Sequence, residues 1–116
     1  MSEKSDPSVS QLRKGVLELV VLGLLSGGEL YGSQIVERLE HRPGLAISVG
    51  TVYPLLARLR KAGLIESSWQ ESPVGPPRKY YSLTKLGTSE LALMTTAWMG
   101  IRADVDGILA EVPDVR

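Results

Sequence analysis

The stretch Ser48–Glu66 reads SVGTVYPLLARLRKAGLIE, followed by SSWQESPVGPP (67–77) and RKYYSL (78–83). Val52, Leu55, Leu56 and Leu59 fall at i, i+3, i+4 and i+7, the apolar stripe of an amphipathic helix. Roughly opposite stand Thr51, Pro54, Arg58 and Lys61, with Tyr53, Ala57 and Arg60 on the flanks. One side can enter a core while the other offers hydroxyls and cations to a partner. Gly63 supplies the stop, being suited to the left-handed backbone that closes a helix. The start is ambiguous. Ser48 is a good N-cap, but a helix begun there carries Pro54 beyond its first turn, where a donor is missing. Either regular helix begins nearer Gly50-Thr51, or the first turn is distorted.

Past Gly63 the period becomes two. Ile65, Ser67 and Trp69 alternate with Leu64, Glu66 and Ser68, which is strand spacing. Glu71–Pro77 holds Gly75 and three prolines, a turn, and Arg78–Leu83 returns with Arg78 and Lys79 at its tip end. Tyr81 should face inward in step with Leu83, leaving Tyr80 exposed. Upstream, a helical pattern starts at Gln11, carries Leu17, Val20, Val21 and Leu24 on one stripe, and ends at Gly27-Gly28. A shorter helix follows Tyr31-Gly32, with Ser33 as candidate N-cap and Ile35 and Leu39 inward, stopped by Arg42-Pro43-Gly44. Helix, short link, reading helix and basic hairpin make a winged helix-turn-helix, in which the hairpin can touch the phosphate backbone.

Charge agrees with that placement. Ser48–Lys85 carries six Lys/Arg against two acids, net +4, while Met1–Ile47 is −1 and Leu86–Arg116 is −3. A chain of formal net charge zero has gathered its positive charge on one candidate face. At 116 residues it is one small domain, marginal as a monomer, so burial against a second copy is expected. The absence of cysteine excludes disulfides, thiolate zinc sites and Cys nucleophiles. The apolar run Val16–Leu25 is interrupted by Glu18 and Gly23 and is about half a membrane span. Met1–Ser10 is polar and lacks a signal-peptide pattern, so the chain reads as cytoplasmic with no membrane partner. No Ser/His/Asp constellation, HExxH helix or Gly-rich phosphate loop appears, and the sole histidine, His41, reads as a surface residue at a helix end. No enzymatic activity, metal or cofactor is expected.

After Thr84, a candidate cap, Leu91, Met94, Trp98, Ile101, Val105 and Ile108 recur at spacings of 3, 4, 3, 4 and 3. This is a heptad seam on a helix running to about Leu109, weakened locally by Gly100 and Gly107. So small a domain offers nothing of its own to cover such a stripe. A second copy should do so, and two-fold symmetry suits a palindromic site. Trp98 has two readings: dimer core, or a platform for a flat aromatic effector walled by Met94 and Ile101. The expected layout is a flexible tail (1–10), a winged-helix domain (11–83), a C-terminal dimerisation helix (84–112) and a short tail (113–116). The expected class is α+β, mainly α with a small β-hairpin wing.

LRKGVLELVVLGLL (12–25), LYGSQI (30–35), GTVYPLLARLRKAGLIE (50–66) and PRKYYSLTKLG (77–87), in that order, closely resemble the PadR family of bacterial transcriptional regulators. The single helix after the wing is similar to the family's short-C-terminal branch. The resemblance implies a dimeric repressor whose C-terminal helices pair and which leaves its double-stranded DNA operator when a small molecule binds. It implies that Thr51, Tyr53 and Arg58 face DNA, with Arg78 and Lys79 on the backbone; Ser48 and Lys61, at either end of the reading helix, complete the candidate set. Pro76-Pro77 stands where family wings often carry another basic residue. That departure should remove about one phosphate contact per subunit and flatten the salt dependence slightly. The competing class is a winged-helix module that binds protein instead of DNA, against which the basic wing argues.

Overall fold

The computed structural model describes residues 7–113. In chain order these form α1 (Pro7–Lys14), α2 (Leu17–Leu25), β1 (Leu30–Tyr31), α3 (Gly32–Glu40), a 3-10 turn at Pro43–Leu45, α4 (Val49–Lys61), β2 (Ile65–Gln70), β3 (Arg78–Leu83) and α5 (Lys85–Leu109). The reading helix and its hairpin lie where the periodicities put them. α4 buries Val52, Leu55, Leu56 and Leu59 in one core with Val21 and Leu22 of α2, Ile35 and Leu39 of α3, and Ile65 at the root of β2. Burying the stripe fixes which face of α4 is left for solvent.

Both ends of α4 have a local cause. At the C-terminus Gly63 takes φ +80°, the Leu64 N–H reaches back to Leu59 O at 3.0 Å and the Gly63 N–H to Arg60 O at 3.0 Å. This is the Schellman pattern, and only a residue without a Cβ enters it without strain. At the N-terminus the ambiguity resolves toward the earlier start: helix begins at Val49 and Pro54 lies inside it. The Ser48 carbonyl accepts from both Thr51 (3.0 Å) and Val52 (3.1 Å), a tightened first turn. The Ser48 side chain makes no capping bond to the backbone; its hydroxyl lies 3.4 Å from Thr51 Oγ1. Pro54 has no N–H for the Gly50 carbonyl, and Gly50 is exposed, so solvent can take that acceptor.

β2 and β3 pair antiparallel from Ile65↔Leu83 to Gln70↔Arg78. Tyr81 is buried, as its register with Leu83 required. Tyr80 is half-buried instead of exposed, because its ring meets Tyr31 edge-on with centroids 5.2 Å apart. Tyr31 belongs to a third strand that sequence reading missed: β1 is two residues long and joins the outer side of β3 (Leu30↔Tyr81, Tyr31↔Tyr80). Two residues carry no readable period. The same segment moves the start of α3, where helix begins at Gly32, so Ser33 is already inside it, and the Tyr31 N–H donates to Gln34 Oε1 at 3.0 Å.

The first helix also differs. It starts at Pro7, a position that tolerates proline because its N–H would be unpaired anyway. It then breaks at Gly15-Val16, where i→i−3 bonds to Leu12 and Arg13 replace the regular ladder. The tails expected over 1–10 and 113–116 lie mostly outside the described residues, and 7–10 is helical. α5 opens on the Thr84 cap as expected. Its seam divides: Leu91 and Met94 pack against the chain's own core, so the expectation that nothing intramolecular covers the stripe fails for its first third. Among the described residues no helix is long and apolar enough to cross a membrane.

Candidate nucleic-acid interface

The solvent side of α4 presents Thr51, Arg58 and Lys61, all exposed, beside Gly50 and Pro54. Two clefts flank the helix. One, of about 370 Å³, lies toward α1 and α2 and is lined by Lys14, Gly50, Thr51, Pro54 and Arg58 over Leu17 and Leu55. The other, of about 410 Å³, lies toward the hairpin and gathers Tyr31, Ser33, Tyr53, Trp69, Arg78, Lys79 and Tyr81. Of α4, Tyr53 thus shares a cleft with Arg78 and Lys79 of the wing, over twenty positions away.

Tyr53 does not simply project outward. It is 43% exposed, and its ring lies so close to Gly32 at the start of α3 that a Cβ there would stand 2.6 Å from Cε1. The tyrosine therefore packs across the start of α3 and lines the wing-side cleft, and a side chain at Gly32 would displace its ring. Beneath it, burial pushes the Tyr81 phenol above its ordinary value of 10.0; the Tyr53 phenol adds to the shift and Arg60 opposes it.

Period-two alternation sends the wing cations to opposite faces of β3. The Arg78 guanidinium carbon stands 4.4 Å above the Tyr31 ring centroid, and Lys79 Nζ stands 5.6 Å from that of Trp69. Each such contact at an exposed site is worth about 0.5–1 kcal/mol and limits the sweep of a long side chain. Trp69, 68% exposed, thus has a place: it is the surface against which Lys79 rests.

Arg58 is held too. Its Nη2 donates to Glu18 Oε2 on α2 at 3.3 Å. Sequence reading missed this pairing, although the signal was visible: Glu18 is the charged residue interrupting the Val16–Leu25 run. Lys14, at the end of α1, lines the same cleft as Thr51 and Arg58.

Further along α5, Trp98 (36% exposed), Ile101 and Val105 line a groove of about 430 Å³ completed by Val9, Leu12 and Val16, the 3-10 turn, Arg13, Arg102 and Asp106. Arg13 Nε donates to Gly44 O at 3.2 Å and joins α1 to that turn. Ile108 lies beyond the groove, 65% exposed. Met94 packs on the core and does not line this groove. His41 Nδ1 donates to the Glu37 carbonyl at 2.9 Å. Among the described residues no group of three or more His, Cys, Asp or Glu could hold a metal.

Three packed helices, a braced reading helix and a hairpin carrying cations at its flank define the class: a winged helix-turn-helix with a long C-terminal helix. The model of the transcriptional regulator PadR-like family matches residues 21–93. Among solved structures, a PadR-like transcription factor from Bacteroides fragilis is 41% identical over 89% of this chain and 99% of its own, with a TM-score of 0.72. A PadR family transcriptional regulator from Eggerthella lenta is 33% identical over 91% of this chain and 92% of its own, TM-score 0.79. A PadR-like transcriptional regulator from Bacillus cereus is 36% identical over 85% and 96%, TM-score 0.78. The chain belongs to the PadR-like family of transcriptional regulators. Members are DNA-binding regulators, not enzymes.

Proposed function

We propose that this regulator binds a palindromic operator as a homodimer, represses transcription from it, and is released by a small-molecule effector. The observation that carries the DNA contact is the pair of clefts flanking α4: Thr51 and Arg58 line one, Tyr53 with Arg78 and Lys79 the other. Such an arrangement lays α4 along a major groove and the wing on flanking phosphates, with Ser48 and Lys61 at the two ends of the helix. The dimer is supported by the uncovered apolar stretch Trp98, Ile101 and Val105 on α5, which a second copy would bury. Release is supported by the size of the Trp98 groove, which falls within the range that holds small molecules. A ligand there changes operator affinity only by binding one spacing of the two heads better than another.

Fluorescence anisotropy of a labelled duplex from upstream of the protein's own gene, against scrambled duplex at two salt concentrations, tests this reading. Tight binding that survives scrambled competitor is the expected result. Weak binding, equal for both duplexes and abolished by modest salt, overturns it and leaves a protein-binding module. With the operator in hand, aromatic compounds are screened for release; Trp98→Ala should blunt the response of any that act through the groove.

A further inference from the structure

The contact between Arg58 and Glu18 places a carboxylate on the flank of a surface meant for a polyanion. Stability does not explain it. The two side chains are 64% and 43% exposed, and an ion pair so open to water contributes little to folding. Its consequence lies in what it does to Arg58. Long side chains on a helix lean toward the helix N-terminus, and Arg58 leans into the cleft that also holds Gly50 and Thr51. Arg58 itself stands in the last turn of α4, and only by reaching back along the helix does its guanidinium approach the N-terminal residues that meet base edges. Glu18 takes one of the two N–H groups on Nη2. The other, together with Nε or Nη1, still forms a two-donor edge, the arrangement that reads the O6 and N7 of guanine.

We propose that Glu18 is a positioning residue for sequence discrimination: it holds the Arg58 fork for a base edge and penalises the use of Arg58 as a mere phosphate contact. A free arginine at this position would satisfy itself on any phosphate and strengthen binding to every sequence alike. A neighbouring carboxylate repels phosphate, whereas an uncharged guanine edge is not repelled and meets an arginine already in place. This inference rests on the DNA-binding reading above.

The test uses the full chain and a duplex enriched by the wild-type protein from a randomised library, with a scrambled duplex as reference. Glu18→Gln keeps the shape and removes the charge. It should tighten binding to the scrambled duplex several-fold, leave the selected duplex within about twofold, and so lower the specificity ratio by about fivefold, a modest part of what one bidentate base contact provides. The salt dependence on scrambled duplex should steepen by about one ion per protomer. In an Arg58→Ala background the same substitution should leave the ratio unchanged. An unchanged ratio in Glu18→Gln overturns the proposal. So does an equal fall in the Arg58→Ala background, which would mean that the carboxylate acts by charge alone. If the wild-type protein enriches no sequence, the DNA-binding reading itself has failed, a result separate from either of these.

Discussion

Thr84 Oγ1 donates to the Gly63 carbonyl at 2.6 Å while accepting from the Gly87 N–H at 3.0 Å. One hydroxyl thereby fastens the residue that closes α4 to the first turn of α5, and the Thr84 N–H adds a bond to Leu64 O at 3.1 Å. Thr84→Val keeps the shape and loses both side-chain bonds. It should destabilise the fold by about 1–2 kcal/mol in urea unfolding, and Thr84→Ser should restore most of that.

Gly87 sits where α5 crosses the end of α4. A Cβ there would run into the Leu64 carbonyl oxygen, with the carbonyl carbon 2.9 Å away. Backbone cannot move aside as a flexible side chain can. Gly87→Ala should therefore cost roughly 3 kcal/mol or more. Gly23→Ala, at an exposed helical site with nothing within 4 Å, should stabilise by about 0.5–1 kcal/mol. Equal effects in paired denaturation curves would contradict this picture of the crossing.

Removing a wing cation should weaken DNA binding without changing which sequence is preferred. Arg78→Ala and Lys79→Ala should each reduce the salt slope by about 0.9 for every phosphate left without its cation, on selected and scrambled duplex alike. Anisotropy titrations across a salt series measure it. Trp69→Ala should reproduce part of the Lys79 effect, since that ring is what Lys79 rests on.

Ile101 is 56% exposed on the part of α5 that the chain does not cover. Ile101→Asp places a charge on that stripe without disturbing the protomer core. Sedimentation should then show monomer, with helical circular dichroism retained and operator affinity abolished. A dimer of unchanged stability would place the interface elsewhere.

Tyr81 predicts an alkaline limit. Burial raises its folded-state pKa above 10.0, so its contribution is fully present below the unfolded value and is lost as pH rises through the folded one. Unfolding midpoints should fall from about pH 10 upward, and Tyr81→Phe should flatten that fall. A pH dependence identical in the two proteins would show that other groups dominate it.

Much of this architecture was legible in sequence because the signals are local. The stripe from Val52 to Leu59, the Gly63 stop, the alternation after it and the Thr84 cap each depend on residues within a few positions of one another. A two-residue strand at Leu30–Tyr31 lies below the length at which any period shows. The heptad spacing marks a stripe along α5, but pattern alone could not say which part the chain buries itself. The chain's own core takes in Leu91 and Met94 and leaves Trp98 onward exposed.

The chain's sequence by itself determined the winged-helix class, the family and the helix that carries the candidate DNA contacts, because periodicity, turn chemistry and charge clustering are written into consecutive residues. Only the tertiary structure decided how those residues are held. Arg58 meets a carboxylate 40 positions away, Tyr53 packs on Gly32 across the helix-turn-helix, and Arg78 rests on a ring from β1. Side chains distant in sequence meet only when the core fixes the angle between their elements, and no local pattern encodes that angle.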